Sequence, residues 1–169
     1  TTGASNVAVG YRSLLNNTAD NNTAVGRDAL TSNTTGADNV AVGRLALENS
    51  TTASQNTAVG SQALDANTTG EYNIAIGYAA LSANTTANGN TAIGRRALLN
   101  NTTGANNTAV GRQALEDNTT TSNLTAIGYN ALKANTTGTN GVAVGKDALE
   151  ANTTGDNNTA VGLEALQSN

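Results

Sequence analysis

One short segment, Asn-x-Ala-Val/Ile-Gly, runs through this chain at almost constant spacing. Its glycine falls at Gly10, Gly26, Gly43, Gly60, Gly77, Gly94, Gly111, Gly128, Gly145 and Gly162, so the first step is 16 residues and each later step is 17. The unit reads N-T-A-V-G-x-x-A-L-x-x-N-T-T-G-x-x, and its positions are numbered here as columns one to seventeen from that Asn. A fixed period of this length predicts an architecture in which successive laps of chain stack along one axis.

Variation among the copies supports stacking. Column three is always Ala (Ala24, Ala41 and Ala58, for example) and column five always Gly (Gly26, Gly43, Gly60). Column nine is always Leu, as at Leu30, Leu47 and Leu64. Column four is Val or Ile, and column eight is Ala except at Ser13. Columns six, seven, ten and sixteen hold nearly all the charge. In a stack of laps, inward columns must keep one size while wet columns are free to drift.

Asn-Thr-Ala-Val-Gly alternates with period two and reads as a short strand. Columns four and nine are expected to fill the core, and the column-five Gly allows a corner or a positive φ. Asn-Thr-Thr-Gly reads as a second extended piece ending in a turn. Columns six to eleven contain good helix formers, as in Arg112-Gln113-Ala114-Leu115-Glu116-Asp117. The segment is too short for a helix stable by itself. The pairs Arg44/Glu48, Arg112/Glu116 and Lys146/Glu150 also run base before acid, the weaker order. The fold expected is therefore all-β: one parallel β-solenoid, or β-roll, of ten 17-residue turns over residues 1–169. Each turn carries a bend or one short helical turn.

The core of such a coil is thin, about one Leu and one Val or Ile per lap at ~1.5–3 kcal/mol each. Ladders of stacked Asn are expected to help, as identical side chains do in cross-β structures. The constant Ala columns have two readings. On an outer face they let neighbouring chains approach closely, most simply as a trimer. Alternatively they fit a narrow interior. Thr1-Thr2-Gly3 fall in columns thirteen to fifteen and Asn169 in column twelve, so the sequence stops in phase without a capping repeat. A window of a longer fibre, or a subunit stacking head to tail through open sheet edges, would look like this.

At Asn22-Thr23-Ala24-Val25-Gly26 and Asn73-Ile74-Ala75-Ile76-Gly77 the repeat resembles the Asn-Ser-x-Ala-Ile-Gly-x-x-Ala pattern of trimeric autotransporter adhesin heads. It is also similar to repeats of phage tail-fibre and bacterial fibre proteins. The resemblance covers all ten copies and implies a left-handed, trimeric parallel β-roll. This repeat is about three residues longer than the adhesin one, the excess falling around Asn-Thr-Thr-Gly.

Composition narrows the chemistry. The chain has no Cys, His, Met, Trp, Phe or Pro, and charged residues make up 12%. Neither a thiolate nor an imidazole is available as nucleophile, base or metal ligand. A net charge of −4 argues against a nucleic-acid partner, and no apolar run approaches the ~20 residues of a membrane span. Asp28, Glu48, Asp65, Glu116 and Asp147 lie in variable columns expected to face water, so no paired-carboxylate site is assigned. A calcium site would have to use dispersed groups such as Asp38, Asp156 and Asn side chains. Arg27, Arg44, Arg95, Arg112 and Lys146 share column six, where acids of column ten (Glu48, Asp65, Glu116, Glu150) are expected to neutralise them. Tyr11, Tyr78 and Tyr129 occupy the same column, either to bind sugars or a partner chain or as ordinary surface tyrosines.

Asn33, Asn67, Asn84, Asn101, Asn118, Asn135 and Asn152 each begin an Asn-x-Thr sequon. They are either glycosylation sites of a decorated fibre or a turn ladder that happens to spell the motif. The Thr columns invite an ice- or glycan-binding reading, weakened because adjacent strand residues point to opposite faces. The function expected is non-enzymatic and structural, without cofactor or metal: an extracellular fibre, adhesin stalk or filament on a cell or virion surface. Its partners are expected to be other copies of itself, and a host surface or glycan. Membrane insertion and nucleic acid are not expected.

Overall fold

The computed structural model describes residues 3–169; Thr1 and Thr2, assigned above to columns thirteen and fourteen, lie outside the described residues. Ten three-residue strands follow one another in a single parallel sheet whose spatial order is the chain order. They are β1 (Val7–Val9), β2 (Thr23–Val25), β3 (Val40–Val42), β4 (Thr57–Val59), β5 (Ile74–Ile76), β6 (Thr91–Ile93), β7 (Thr108–Val110), β8 (Thr125–Ile127), β9 (Val142–Val144) and β10 (Thr159–Val161). Each column pairs with itself, as in Ala41↔Ala58 and Val42↔Val59. The chain is a β-solenoid, with one strand per rung and nine laps joining the ten.

Hydrogen bonding along the axis continues around the rest of the lap. Leu30 N–H donates to Ala46 O (3.1 Å), Ser32 N–H to Glu48 O (3.1 Å) and Thr34 N–H to Thr51 O (2.9 Å), each in the rung above. Asp28 N–H donates to Tyr11 O (2.8 Å) in the rung below. Chain that carries no strand is thus still bonded rung to rung through its backbone.

Among the described residues columns six to eleven contain no helix. Two tight turns replace the helical alternative, closed by bonds such as Ala29 N–H to Gly26 O (3.4 Å) and Asn33 N–H to Leu30 O (3.3 Å). Asn-Thr-Thr-Gly is likewise a bend, not a second strand. The lap closes through left-handed residues at columns seven, nine and seventeen. All ten column-nine leucines are among them, from φ 49° at Leu30 to 55° at Leu64. That conformation costs an L-residue roughly 1–2 kcal/mol. It recurs because it turns the Leu side chains into the core, where Leu30 to Leu149 are fully buried and only Leu166 of the last rung is half exposed.

The strand alternation is present, but its phase is opposite to the expected one. Column three points inward: Ala24, Ala41 and Ala58 are fully buried, as are Ala29 and Ala46 of column eight. Columns two and four, the Val, Ile and Thr positions, point outward, with Ile74 and Ile76 about two-fifths exposed at 40% and 38%. The core is Ala, Ala and Leu per rung, not Leu with Val or Ile. A 16- or 17-residue lap is too narrow for more, because two buried Asn side chains also occupy its interior. The outward Ala reading is therefore overturned, and the narrow-interior reading holds. The column-five glycines sit at corners with φ near 136°. A Cβ on Gly43 would stand 2.5 Å from Gly60 O in the next rung, which explains why this column never changes.

Candidate functional site

Three side-chain systems run along the axis: two buried Asn ladders, an outer Thr file, and a charged and aromatic stripe.

Column-one Asn works upward. Asn39 Oδ1 accepts Asn56 N–H (3.0 Å), and Asn39 Nδ2 donates to Ala53 O (2.8 Å) in the next rung. Column-twelve Asn works within its lap and downward. Asn84 Nδ2 donates to Ala87 O (3.1 Å) and to Asn67 Oδ1 (2.9 Å) below. Both ladders meet at the column-fifteen carbonyl, whose two lone pairs are filled by two amides. Gly36 O, for example, accepts from Asn22 Nδ2 and Asn33 Nδ2, each at 2.8 Å.

The sequon asparagines Asn33, Asn67, Asn84, Asn101, Asn118, Asn135 and Asn152 are this second ladder. All are buried, and each Nδ2 donates to a column-fifteen carbonyl, as Asn135 does to Gly138 O (3.1 Å) and Asn152 to Gly155 O (3.1 Å). A glycan on any of them would have to break the ladder, so the folded chain offers no acceptor amide there. Exposed sequons exist elsewhere, including Asn21, Asn106, Asn123 and Asn157 of column seventeen. Sequence reasoning missed these, although Asn-x-Thr was readable there too.

The ladders break where the repeat residue is replaced, at three positions, and also at Asn118, whose Oδ1 has no partner among the described residues although Asn135 stands in the next rung. Ser50 replaces Asn in column twelve, and neither Ser50 Oγ nor Asn33 Oδ1 finds a partner. Leu124 and Gly141 replace consecutive column-one asparagines, with Leu124 buried beneath the missing side chain of Gly141.

Column-thirteen hydroxyls are committed to the scaffold. Thr68 Oγ1 donates to Thr85 O (3.0 Å) and Thr102 Oγ1 to Thr119 O (3.0 Å), each one rung on. Column-fourteen threonines, from Thr35 to Thr154, stand exposed in every rung.

In the charged stripe, burial corrects one expectation. Asp28, Glu116 and Asp147 are not out in water; they are largely buried beneath cations. Arg27 Nε lies 3.1 Å from Asp28 Oδ2, Arg96 Nη2 2.7 Å from Glu116 Oε1, and Lys146 Nζ 2.9 Å from Asp147 Oδ2. The Asp147 carboxylate holds the Lys146 ammonium above its ordinary range. Glu48 and Asp65 are half-buried, and burial, with help from Glu48, pushes the Asp65 carboxyl up. Column-ten acids therefore do not neutralise column six as expected. Arg95 and Arg112 pair instead with rings: the guanidinium carbon of Arg95 lies 5.8 Å from the Tyr78 centroid, and that of Arg112 lies 5.4 Å from the Tyr129 centroid. Among the described residues no three carboxylates gather at one point. Asp38 and Asp156 stand about seven rungs apart. Asp156 instead accepts Thr139 N–H (2.7 Å) and Thr139 Oγ1–H (2.8 Å), which hold its carboxyl below the ordinary range.

No family model, curated protein or solved structure matches this chain. The likeness to adhesin heads and fibre repeats accordingly rests on the motif alone.

Proposed function

We propose that this chain is a non-enzymatic structural element, a rod-like segment of an extracellular fibre, stalk or filament on a cell or virion surface. The observation that carries the reading is bonding along one axis on every side of the cross-section: strand ladder, turn-to-turn backbone bonds and two internal Asn ladders. Such a body resists bending because no side of it is held by packing alone. At about 4.8 Å per rung, ten rungs span about 48 Å.

The outward face of the sheet supports self-association. Column four presents Val or Ile in every strand from β1 to β10, an apolar file along the rod, beside a column two that mixes Thr with Val and Ile. Contiguous exposed apolar surface of this kind marks an interaction site. Other copies of the chain, as a lateral trimer or another side-by-side assembly, would cover this apolar file. Sedimentation equilibrium with negative-stain micrographs tests the reading. Native protein should give multimeric rods, and Ile76→Lys with Ile93→Lys should give single, still-folded coils. A monomeric native protein with no elongated particles would refute it.

The exposed Thr file favours a second reading, a repetitive binding face for ice or glycan. Its test is thermal hysteresis with loss on Thr69→Tyr and Thr103→Tyr. These positions are chosen because the Thr68 and Thr102 hydroxyls are already committed to the next rung.

A further inference from the structure

Two groups of cations stand out in the stripe, apart from the exposed Arg44, which faces neither a carboxylate nor a ring among the described residues. Arg12 and Arg27 face Asp28, Arg96 faces Glu116, and Lys146 faces Asp147. Arg95 and Arg112 are different: each is exposed and stacked on a ring, with no carboxylate partner among the described ion pairs. They are also neighbours. Tyr78, Arg95, Arg112 and Tyr129 occupy column six of four consecutive rungs. Arg95 lies one rung from Tyr78 and Arg112 one rung from Tyr129, so the two guanidiniums sit on neighbouring rungs between the two rings. The adjacent acids do not cancel this charge, because Glu116 is held by Arg96 and Asp147 by Lys146. The rings keep exposed surface, 49% for Tyr78 and 38% for Tyr129.

We propose that this strip binds an acidic polysaccharide laid along the solenoid axis, its anionic group between Arg95 and Arg112 and its sugar rings against Tyr78 and Tyr129. Arginine matches the fork of carboxylate or sulfate oxygens. A tyrosine face is an apolar platform for the C–H face of a sugar, with a hydroxyl at its rim. The tyrosines stand three rungs apart, about 14 Å at the strand spacing, which is the reach of roughly three linked sugars. Carboxylate and sulfate share this chemistry, and the strip would accept either. Selectivity follows from the rest of the molecule. With a net charge of −4, the chain repels polyanions in general, so capture must be local. The site needs no assembly, so it stands whether or not the chain self-associates.

The test is titration of the native protein with heparin, hyaluronan and neutral dextran at about 50 mM salt. Binding to heparin alone assigns sulfate, to hyaluronan alone carboxylate, and to both the shared anionic fork. Losing two charge-assisted contacts should weaken binding at least tenfold in Arg95→Gln/Arg112→Gln. Tyr78→Leu/Tyr129→Leu should weaken it several-fold while leaving its salt dependence in place. Arg27→Gln/Lys146→Gln removes the same formal charge from paired cations and should stay within about twofold of native. Two results overturn the proposal: neither anionic glycan binding better than dextran, or the Arg27/Lys146 control losing as much as the Arg95/Arg112 variant. Circular dichroism of each variant shows that the coil is retained.

Discussion

Ser50→Asn should stabilise this protein, and the structure fixes why. Where the column-twelve ladder is continuous, as at Asn84 and Asn118, the amide donates twice, to the column-fifteen carbonyl of its own lap and to the Asn Oδ1 below. At Ser50 both bonds are missing: Ala53 O accepts only from Asn39 Nδ2, while Asn33 Oδ1 and Ser50 Oγ are buried without partners. The rung is built to accept Asn. Asn84 shares its lap with an Ala at column fifteen, Ala87, as Ser50 does with Ala53, and its amide makes both bonds, at 3.1 and 2.9 Å. Two buried hydrogen bonds contribute about 1 kcal/mol each, and supplying a donor to an orphaned oxygen removes a penalty of about 1–3 kcal/mol. Ordering the longer side chain costs part of this, leaving a net gain of about 1–2 kcal/mol.

For a chain of this size such a gain corresponds to a rise in melting temperature of about 2–8 °C. A stacked coil need not unfold as one unit, so hydrogen exchange is the sharper assay. Protection should rise around residues 33–53 and stay unchanged beyond two rungs. Two variants separate hydrogen bonding from bulk: Ser50→Ala should be close to neutral, and Asn84→Ser should destabilise by a similar 1–2 kcal/mol. If Ser50→Asn fails to raise protection near Asn33 while Asn84→Ser loses none near Asn67, the ladder contributes nothing and the reasoning is refuted.

Gly43→Ala should destabilise by several kcal/mol and register in urea denaturation, because its Cβ meets the Gly60 carbonyl in a backbone already at φ 137°. Leu45→Gly should be neutral or stabilising by up to about 1 kcal/mol. Leu45 holds φ at 62° in column seven, and the relief of roughly 1–2 kcal/mol exceeds the ~0.5–1 kcal/mol entropy cost of Gly; a loss above 1 kcal/mol would show that its side chain packs. The two shifted carboxyls act in opposite directions with pH. Asp156, held low, supports the fold above its unfolded value, and that support goes as pH falls through the lower folded one; exchange at the Thr139 amide should then accelerate. Asp65, held high, is easiest to accommodate when protonated, so its contribution is full below the unfolded value and is lost as pH rises through the folded one. Asp65→Asn should remove that local pH dependence.

The period, the parallel register and the Leu core were legible in the sequence because stacking leaves its mark directly as constant columns. The phase of the strand was not. Alternation says that Ala24 and Val25 point opposite ways, not which of them points inward. Hydrophobicity favours Val inside, and only the width of the closed lap, with Asn22 and Asn33 already in its interior, decides for Ala. The turns at columns six to eleven were hidden for a related reason. Leu45 and Leu30 carry left-handed φ values that their residue type does not advertise, whereas column seventeen, rich in Asn with one Gly, does. Pairing in the charged stripe was illegible because it depends on where Arg95 and Arg96 diverge after the Gly94 corner, one to Tyr78 and the other to Glu116.

The rung at Leu124 shows how strictly the axis governs what this sequence can become. Leu124 N–H still donates to Asn107 Oδ1 (2.9 Å), so the ladder arrives intact from below. Leu124 returns no amide to the rung above, and Gly138 O accepts only from Asn135 Nδ2. The larger apolar side chain fits because the next position is Gly141, where a Cβ would stand 3.5 Å from Leu124 Cδ2 and 3.2 Å from Leu132 Cδ1. Two departures from the repeat, 17 residues apart in sequence, are thus one substitution in space. Gly141→Asn alone should destabilise, because it forces an amide against Leu124 and offers its Nδ2 no improved partner below. Adding Leu124→Asn should reverse the loss by rebuilding both bonds of the ladder. Strictly additive effects in that double-mutant cycle would mean that the two rungs do not share a core, and the mechanical reading of the coil would lose its basis.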